Sequence, residues 1–218
     1  MKKILLVLFT FIYALSASAG YKVGDLYNKD GVKGIVIKVD ETGEHGLIMS
    51  LDHFNGEWSS DKKAKFETNT FHEDDGQKNM EAIENYIKET GNQWSLFPLF
   101  EWCRNKGEGW YIPALDELTL IYIAINGSDG SYVKSNVEKI DNIIKQNGGD
   151  SLYGKVELPT PTKEKMPYHI YSSTEGSKGK VFIGSINCTS PYAAPKVIIG
   201  EVKKSWGRYT GSRAVRKF

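Results

Sequence analysis

A helix that is apolar on nearly every side has to be buried, and the stretch after Pro113 encodes one. Leu115, Leu118, Tyr122 and Ile125 share one face, while Leu120, Ile121, Ile123 and Ala124 fill most of the rest. Such a helix needs partners all round, so the elements before and after it must wrap it. The run that leads in, Gly109-Trp110-Tyr111-Ile112, reads as an aromatic strand end stopped by the proline. Proline suits a helix entry because the N–H it lacks has no helical partner there. Trp110 and Tyr111 read as core aromatics with a polar tip.

The remaining elements follow from periodicity and punctuation. Residues 34–39 and 47–51 are β-rich, and the polar run from Asp40 to Gly46 between them predicts a hairpin with a long turn. Residues 54–75 read as loop. A helix is expected from about Gln77 to Glu89, with Met80, Ile83 and Ile87 on one face and Asp74 or Asp75 as its cap. A second helix runs from about Leu96 to Arg104, and a further amphipathic one uses Val137, Ile140 and Ile144 before Gly148-Gly149. Leu158 to Pro167 holds three prolines and no period, which predicts a loop. Strands are expected at 168–174, 180–186, 196–202 and 209–218. A hairpin, then helices, then a run of strands is an α+β order closing on a mainly antiparallel sheet.

The first nineteen residues form a separate object. Lys2 and Lys3 precede the apolar stretch Ile4 to Leu15, and Ala17-Ser18-Ala19 is a small-residue cleavage site. The apolar stretch is shorter than the roughly 20 residues a membrane span needs. It predicts a signal peptide (1–19), an exported chain starting near Gly20, and one domain over 20–218. Export would leave the protein in the periplasm, on the cell surface or in the medium. The 28 basic and 27 acidic residues are balanced, which argues against nucleic acid or an anionic membrane as the main partner. The C-terminal third is locally basic through Lys196, Lys203, Lys204, Arg208, Arg213, Arg216 and Lys217, and reads as a solvated sheet face. In an oxidising compartment Cys103 and Cys188 could form one disulfide. Equally, Cys103 falls on the stripe Leu96, Leu99, Phe100 and can serve as a small buried hydrophobe.

Catalytic and metal signatures are sparse. His72-Glu73-Asp74-Asp75 is the one dense ligand cluster, and it reads better as a solvated turn leading into a helix cap. No zinc-type spacing, calcium loop, nucleophile elbow or phosphate loop occurs in the sequence. No cofactor and no metal are expected.

Four segments together resemble a known family. Gly109 to Leu118 is similar to the "GWYLPSxxEL" signature of the C-terminal domain of bacterial collagen-like adhesins. Tyr171-Ser172-Ser173-Thr174-Glu175 resembles its "YWSSTE", Arg213-Ala214-Val215-Arg216-Lys217-Phe218 its closing "VRAVRxF", and Gly43-Glu44-His45-Gly46-Leu47 its early "GxHGLV". The resemblance implies a C-type-lectin-like fold with the termini in a shared sheet and binding carried by loops. Where the family has a capping serine, this chain has Ala114. Half of a capping box is thereby lost while Glu117 remains, at a cost of about 0.5–2 kcal/mol. The alternation in 213–218 gives no clean inside face, so one arginine is expected to be buried and paired, with Glu175 as partner. The resulting expectation is a non-catalytic adhesion module that docks a protein or polysaccharide without calcium. Trp58, Trp206 and Tyr209 are the loop aromatics proposed for contact, beside Glu175 and Arg213. The alternatives are a structural subunit of a surface assembly, or an enzyme with a site near His72 and Glu175.

Overall fold

The computed structural model describes residues 20–127, 133–157, 165–167, 169–185, 198–207 and 210–218. The expected leader therefore lies outside the described residues. The chain runs β1 (Leu26–Lys29), β2 (Val32–Val39), β3 (Gly46–Ser50), β4 (Phe54–Asn55), α1 (Gly76–Thr90), a 3-10 turn at Trp94–Leu96 and α2 (Pro98–Asn105). It continues through β5 (Trp110–Tyr111), α3 (Leu115–Asn126), α4 (Lys134–Gln146), β6 (Tyr153–Glu157), β7 (Lys165–Pro167) and β8 (His169–Glu175). β9 (Lys180–Ser185), β10 (Ile198–Lys203), β11 (Thr210–Ser212) and β12 (Val215–Lys217) complete it. The fold is α+β, with two five-stranded, mainly antiparallel sheets ordered β1-β2-β3-β12-β5 and β10-β9-β8-β11-β4. The pairing of β11 with β8 is parallel.

The apolar helix α3 lies where its sequence demands. It packs on β2 of the first sheet, on β8 and β9 of the second, and on α4. Leu118, Ile121 and Ile125 join Ile35, Ile37 and Met49 of the first sheet and Val137, Ile140 and Ile144 of α4 in one core. Each such side chain, fully buried, contributes about 1.5–3 kcal/mol. A second core gathers Phe97, Leu99, Phe100 and Cys103 around Trp58, Tyr171 and Val181.

Helix starts show how sequence signals were used. Asp75 caps α1, its carboxylate accepting from the amides of Gln77 (3.1 Å) and Lys78 (3.2 Å), and Gly91 closes the helix in the left-handed region. The helix expected from Leu96 is instead split, because the residue before a proline is pushed away from helical geometry. Phe97 accordingly breaks the chain before Pro98 starts α2. At α3 the missing serine cap is replaced from outside the helix. The Leu115 amide donates to Thr174 Oγ1 (3.1 Å) and the Asp116 amide to the Glu73 carbonyl (2.8 Å). Glu117 completes the start: it accepts from the amides of Ala114 (2.8 Å) and Gly76 (3.2 Å) and from the Tyr111 hydroxyl (2.7 Å). Burial raises its pKa. Gly76 is required there, since a Cβ would lie 2.2 Å from the Ile112 carbonyl oxygen.

Two expectations are corrected. Within the 158–167 loop, residues 165–167 form β7 against β6, with Pro167 tolerated in this isolated pair; residues 158–164 lie outside the described set. The strand expected over 209–218 is two strands in two different sheets. β11 pairs with β8 and β4, the chain crosses at Arg213-Ala214, and β12 pairs with β3 and β5. This crossing explains the absence of one inside face. Alongside it, residues 51–53 cross the other way between β3 and β4.

Arg213 sits at these crossings, fully buried. Its guanidinium donates to the carbonyls of Ser50 (3.1 Å), Leu51 (2.6 Å), Asp150 (2.5 Å) and Ser151 (3.3 Å). Glu175 is not the partner the sequence suggested. His53 lies beside it, and burial first, then the Arg213 charge, pushes its imidazole down to about 3. Where β11 passes β4, a Cβ on Gly211 would lie 1.8 Å from the Phe54 carbonyl oxygen, so only glycine fits. The C-terminal residue packs on the first sheet beside the segment leading into β1: the Phe218 ring lies 4.7 Å from Tyr27 and 5.6 Å from Tyr21. No helix among the described residues is long and apolar enough to cross a membrane.

Replacing Arg213 with Met leaves buried carbonyls without their charged donor, and should lower unfolding stability by at least about 3 kcal/mol in urea titrations. An unchanged midpoint would refute its role at the junction. Thr174→Val should cost about 1 kcal/mol by the same measurement, through loss of the α3 cap. His53 binds its proton near 3 when folded and near 6.5 when unfolded. The unfolded state thus binds more protons between these values, and stability should fall as pH drops through that window. His53→Asn should flatten that limb in pH-dependent thermal melts.

Candidate functional site

The residues proposed for ligand contact are mostly structural. Trp58 is 0% exposed. Its indole N–H donates to the Ser172 carbonyl (3.2 Å), and its ring meets Phe100 and Phe97 edge-on at 4.8 and 5.7 Å. It stands in the loop between β4 and α1 but plugs the core instead of facing a ligand. Glu175 is buried and accepts from the backbone amides of Thr68 and Thr70 and from the Lys204 ammonium. Lys204, expected on a solvated face, is itself buried. No periodic signal marks it, since Lys203-Lys204 at a strand end looks like surface. Arg213 is locked at the sheet junction. Trp206 is exposed (39%), beside Val202, Lys203 and Ser205 at a shallow depression next to the edge strand β10. Tyr209 and Cys188 lie outside the described residues. Cys103 is buried on α2, and burial raises its thiol pKa well above 9.0, which keeps it a protonated small hydrophobe.

The His72 side chain is exposed, and its backbone is tied on both sides. Its amide donates to Asn79 Oδ1 (3.1 Å), and its carbonyl accepts from Asn79 Nδ2 (2.7 Å) and Thr174 Oγ1 (2.8 Å). Next to it Asp75 is engaged as the α1 cap. Among the described residues no group of three or more His, Cys, Asp and Glu side chains is arranged to hold a metal ion.

Two clefts offer shape. The larger, about 600 Å³, lies between the β2–β3 turn and the starts of α1 and α3. Three of its five carboxylates already have structural work: Asp75 caps α1, Glu117 is saturated, and Asp40 accepts from Thr42 and Gly43 to organise the turn, while Asp74 and Asp116 also line the cleft. The Thr42 hydroxyl, above all, holds the Asp40 pKa down.

The smaller cleft, about 190 Å³, is built differently. Its walls are α1, which contributes Gln77, Glu81 and Glu84, and the aromatics Trp94 and Trp110. The Arg104 guanidinium lies 4.9 Å over the Trp94 ring, an arrangement that fixes both side chains. Behind it Lys106 stands 5.1 Å from the Trp110 ring and 5.0 Å from Trp102, while paired with Asp52 at 2.5 Å. The tryptophans are half-buried, so each is anchored in the second core and still presents surface. Below the roughly 300 Å³ of typical small-molecule pockets, this cleft suits one ring or one side chain of an extended ligand. Ring faces provide apolar contact, and the guanidinium and carboxylates provide directional hydrogen bonds. Sequence reasoning assigned Trp110 to the core and Arg104 to a helix end; their convergence with Trp94 depends on how α2 packs against the 3-10 turn and β5.

No family model matches the sequence, and no curated protein does. A crystal structure of a fimbrial protein from Bacteroides ovatus matches 90% of this chain with a TM-score of 0.53 at 17% identity. The chain spans about half of that protein, 48% of its length. At this identity the likeness is one of fold.

Proposed function

We propose that the chain is an exported, non-catalytic binding or adhesion module that docks a polysaccharide or protein ligand without calcium. The observation that carries this reading is the Trp94–Arg104–Trp110 cleft with its carboxylate rim on α1. Its chemistry matches a sugar ring, whose C–H face stacks on indole while its hydroxyls bond to charged groups, or an amphipathic side chain of a protein. The fold likeness to a fimbrial protein supports a place at the cell surface, as does the signal-like leader. The resemblance to the C-terminal domain of collagen-like adhesins supports the same reading and implies a C-type-lectin-like arrangement. In this reading docking uses the helix–turn cleft, with Trp206 and Tyr209 as the candidates from the loops.

A second reading, a structural subunit of a surface assembly, is favoured by one feature. β10 is the edge of the second sheet, with exposed Trp206 beside it. It requires self-association or capture by a partner subunit, measurable by light scattering on the purified chain.

The test of the first reading is binding to arrayed glycans, mucins and matrix proteins. Arg104→Ala should weaken capture at least about tenfold, roughly 1.4 kcal/mol, with thermal melting unchanged, and Trp94→Ala should weaken it as much when assayed below its own, lowered melting temperature. Chelator should leave binding intact. Failure to bind any surface, or capture indifferent to both substitutions, rejects the proposal.

A further inference from the structure

Among the described residues Lys204 stands out: an amine that is 0% exposed, in the turn after β10. Its Nζ lies 4.9 Å from the Trp58 ring and 4.7 Å from the Phe66 ring, donates to the Phe66 carbonyl (2.7 Å), and touches Glu175 Oε1. The other carboxylate oxygen, Oε2, accepts from the amides of Thr68 (2.9 Å) and Thr70 (3.4 Å), and the Thr68 amide also reaches Oε1 (3.1 Å). The backbone on both sides is fixed as well. The Lys204 amide donates to the Gly179 carbonyl (3.2 Å), and the Glu175 amide donates to the Thr70 carbonyl (2.7 Å).

An ion pair so thoroughly removed from water carries a desolvation cost that its mutual attraction only partly offsets. Burial pushes the Lys204 amine down to about 7, against an opposing pull from Glu67. A proton passed within the pair gives a neutral amine facing a neutral acid, the two reactants of amide formation. Thr68 and Thr70 place two N–H donors at Oε2, where negative charge would collect during attack on Cδ. The contacting oxygen, Oε1, already receives a hydrogen from Nζ.

The geometry points to an intramolecular amide cross-link between Lys204 Nζ and Glu175 Cδ. The nitrogen attacks Cδ, the N–C bond forms, and charge moves onto Oε2 under the two amides. A proton passes from nitrogen to Oε1, the Cδ–Oε1 bond breaks, and one water leaves. No oxidant, reductant or co-reactant is needed. Both buried charges disappear, and the Nζ–H left on the amide keeps a donor for the Phe66 carbonyl. The link ties the end of β8 to the turn after β10 across the intervening β9, which would brace this sheet against being pulled apart. It is independent of the ligand assigned to the tryptophan cleft.

The test is the intact mass of the folded, full-length mature protein, measured after reduction and denaturation. The expected mass is one water below that of the sequence. A tryptic digest should then contain a branched peptide joined through Lys204 and Glu175, with no cleavage after Lys204. Lys204→Arg, which keeps the cation but not the reactive amine, should run at its full sequence mass. A wild-type protein at full sequence mass overturns the proposal, as does a water loss that fragmentation places at other residues. Because the wild-type mass decides, the result stands even where the variant fails to fold.

Discussion

The two sheets are joined by one buried guanidinium. Residues 51–53 and 213–214 carry the chain between sheets in opposite directions, and each crossing interrupts the ladder that would have occupied its carbonyls. Arg213 supplies donors to the Ser50 and Leu51 carbonyls at the outgoing crossing and to those of Asp150 and Ser151 in the segment between α4 and β6, so it ties both to the returning strand. A planar, permanently charged fork can serve several acceptors at once, which a lysine could not. The same crossing places β12 between β3 and β5, and through β5 sets the entry to α3. His53 stays neutral nearby because burial, and after it the Arg213 charge, disfavours its cation.

Around this junction several polar groups of the interior find partners from distant segments. Pro113 cannot donate, but its carbonyl accepts from the Ser173 amide and from the hydroxyls of Ser172 and Ser173. Thr174 and Glu73 take over the cap that Ala114 cannot provide, and Asn79 links Ser173 to His72. The four segments that resemble the adhesin-domain signature are thus neighbours: Gly46 pairs with Phe218, Tyr111 with Val215, and Ser173 with Pro113. Their shared job is to hold helix starts and strand ends together. A conspicuous sequence signature in this chain marks folding, and the surfaces available for recognition lie at its margins.

The tryptophan cleft and the Lys204 pocket show two fates of an aromatic ring near a cation. Arg104 over Trp94 is open to water, so its attraction is modest and its surface remains free for a ligand. Lys204 between Trp58 and Phe66 is closed, and the electrostatic cost of that closure drives its chemistry toward neutrality.

The sequence by itself determined which segments become helices and why α3 is central, because a stripe or a full apolar surface states its own burial need. It also specified the Asp75 cap and the proline entry, which depend on residues a few positions apart. The apolar stripe Leu96, Leu99, Phe100 and Cys103 is local in the same way, and Cys103 is buried in the second core. What only the tertiary structure decided was the fate of polar and aromatic side chains whose partners lie far along the chain. Trp58 is buried because Ser172, 114 positions away, accepts its N–H. Glu175 pairs with Lys204 and not Arg213, and residues 209–218 divide between two sheets, because sheet pairing is set by non-local hydrogen bonds. Periodicity reports how much surface a segment must hide; it cannot report which distant group will be there to meet it.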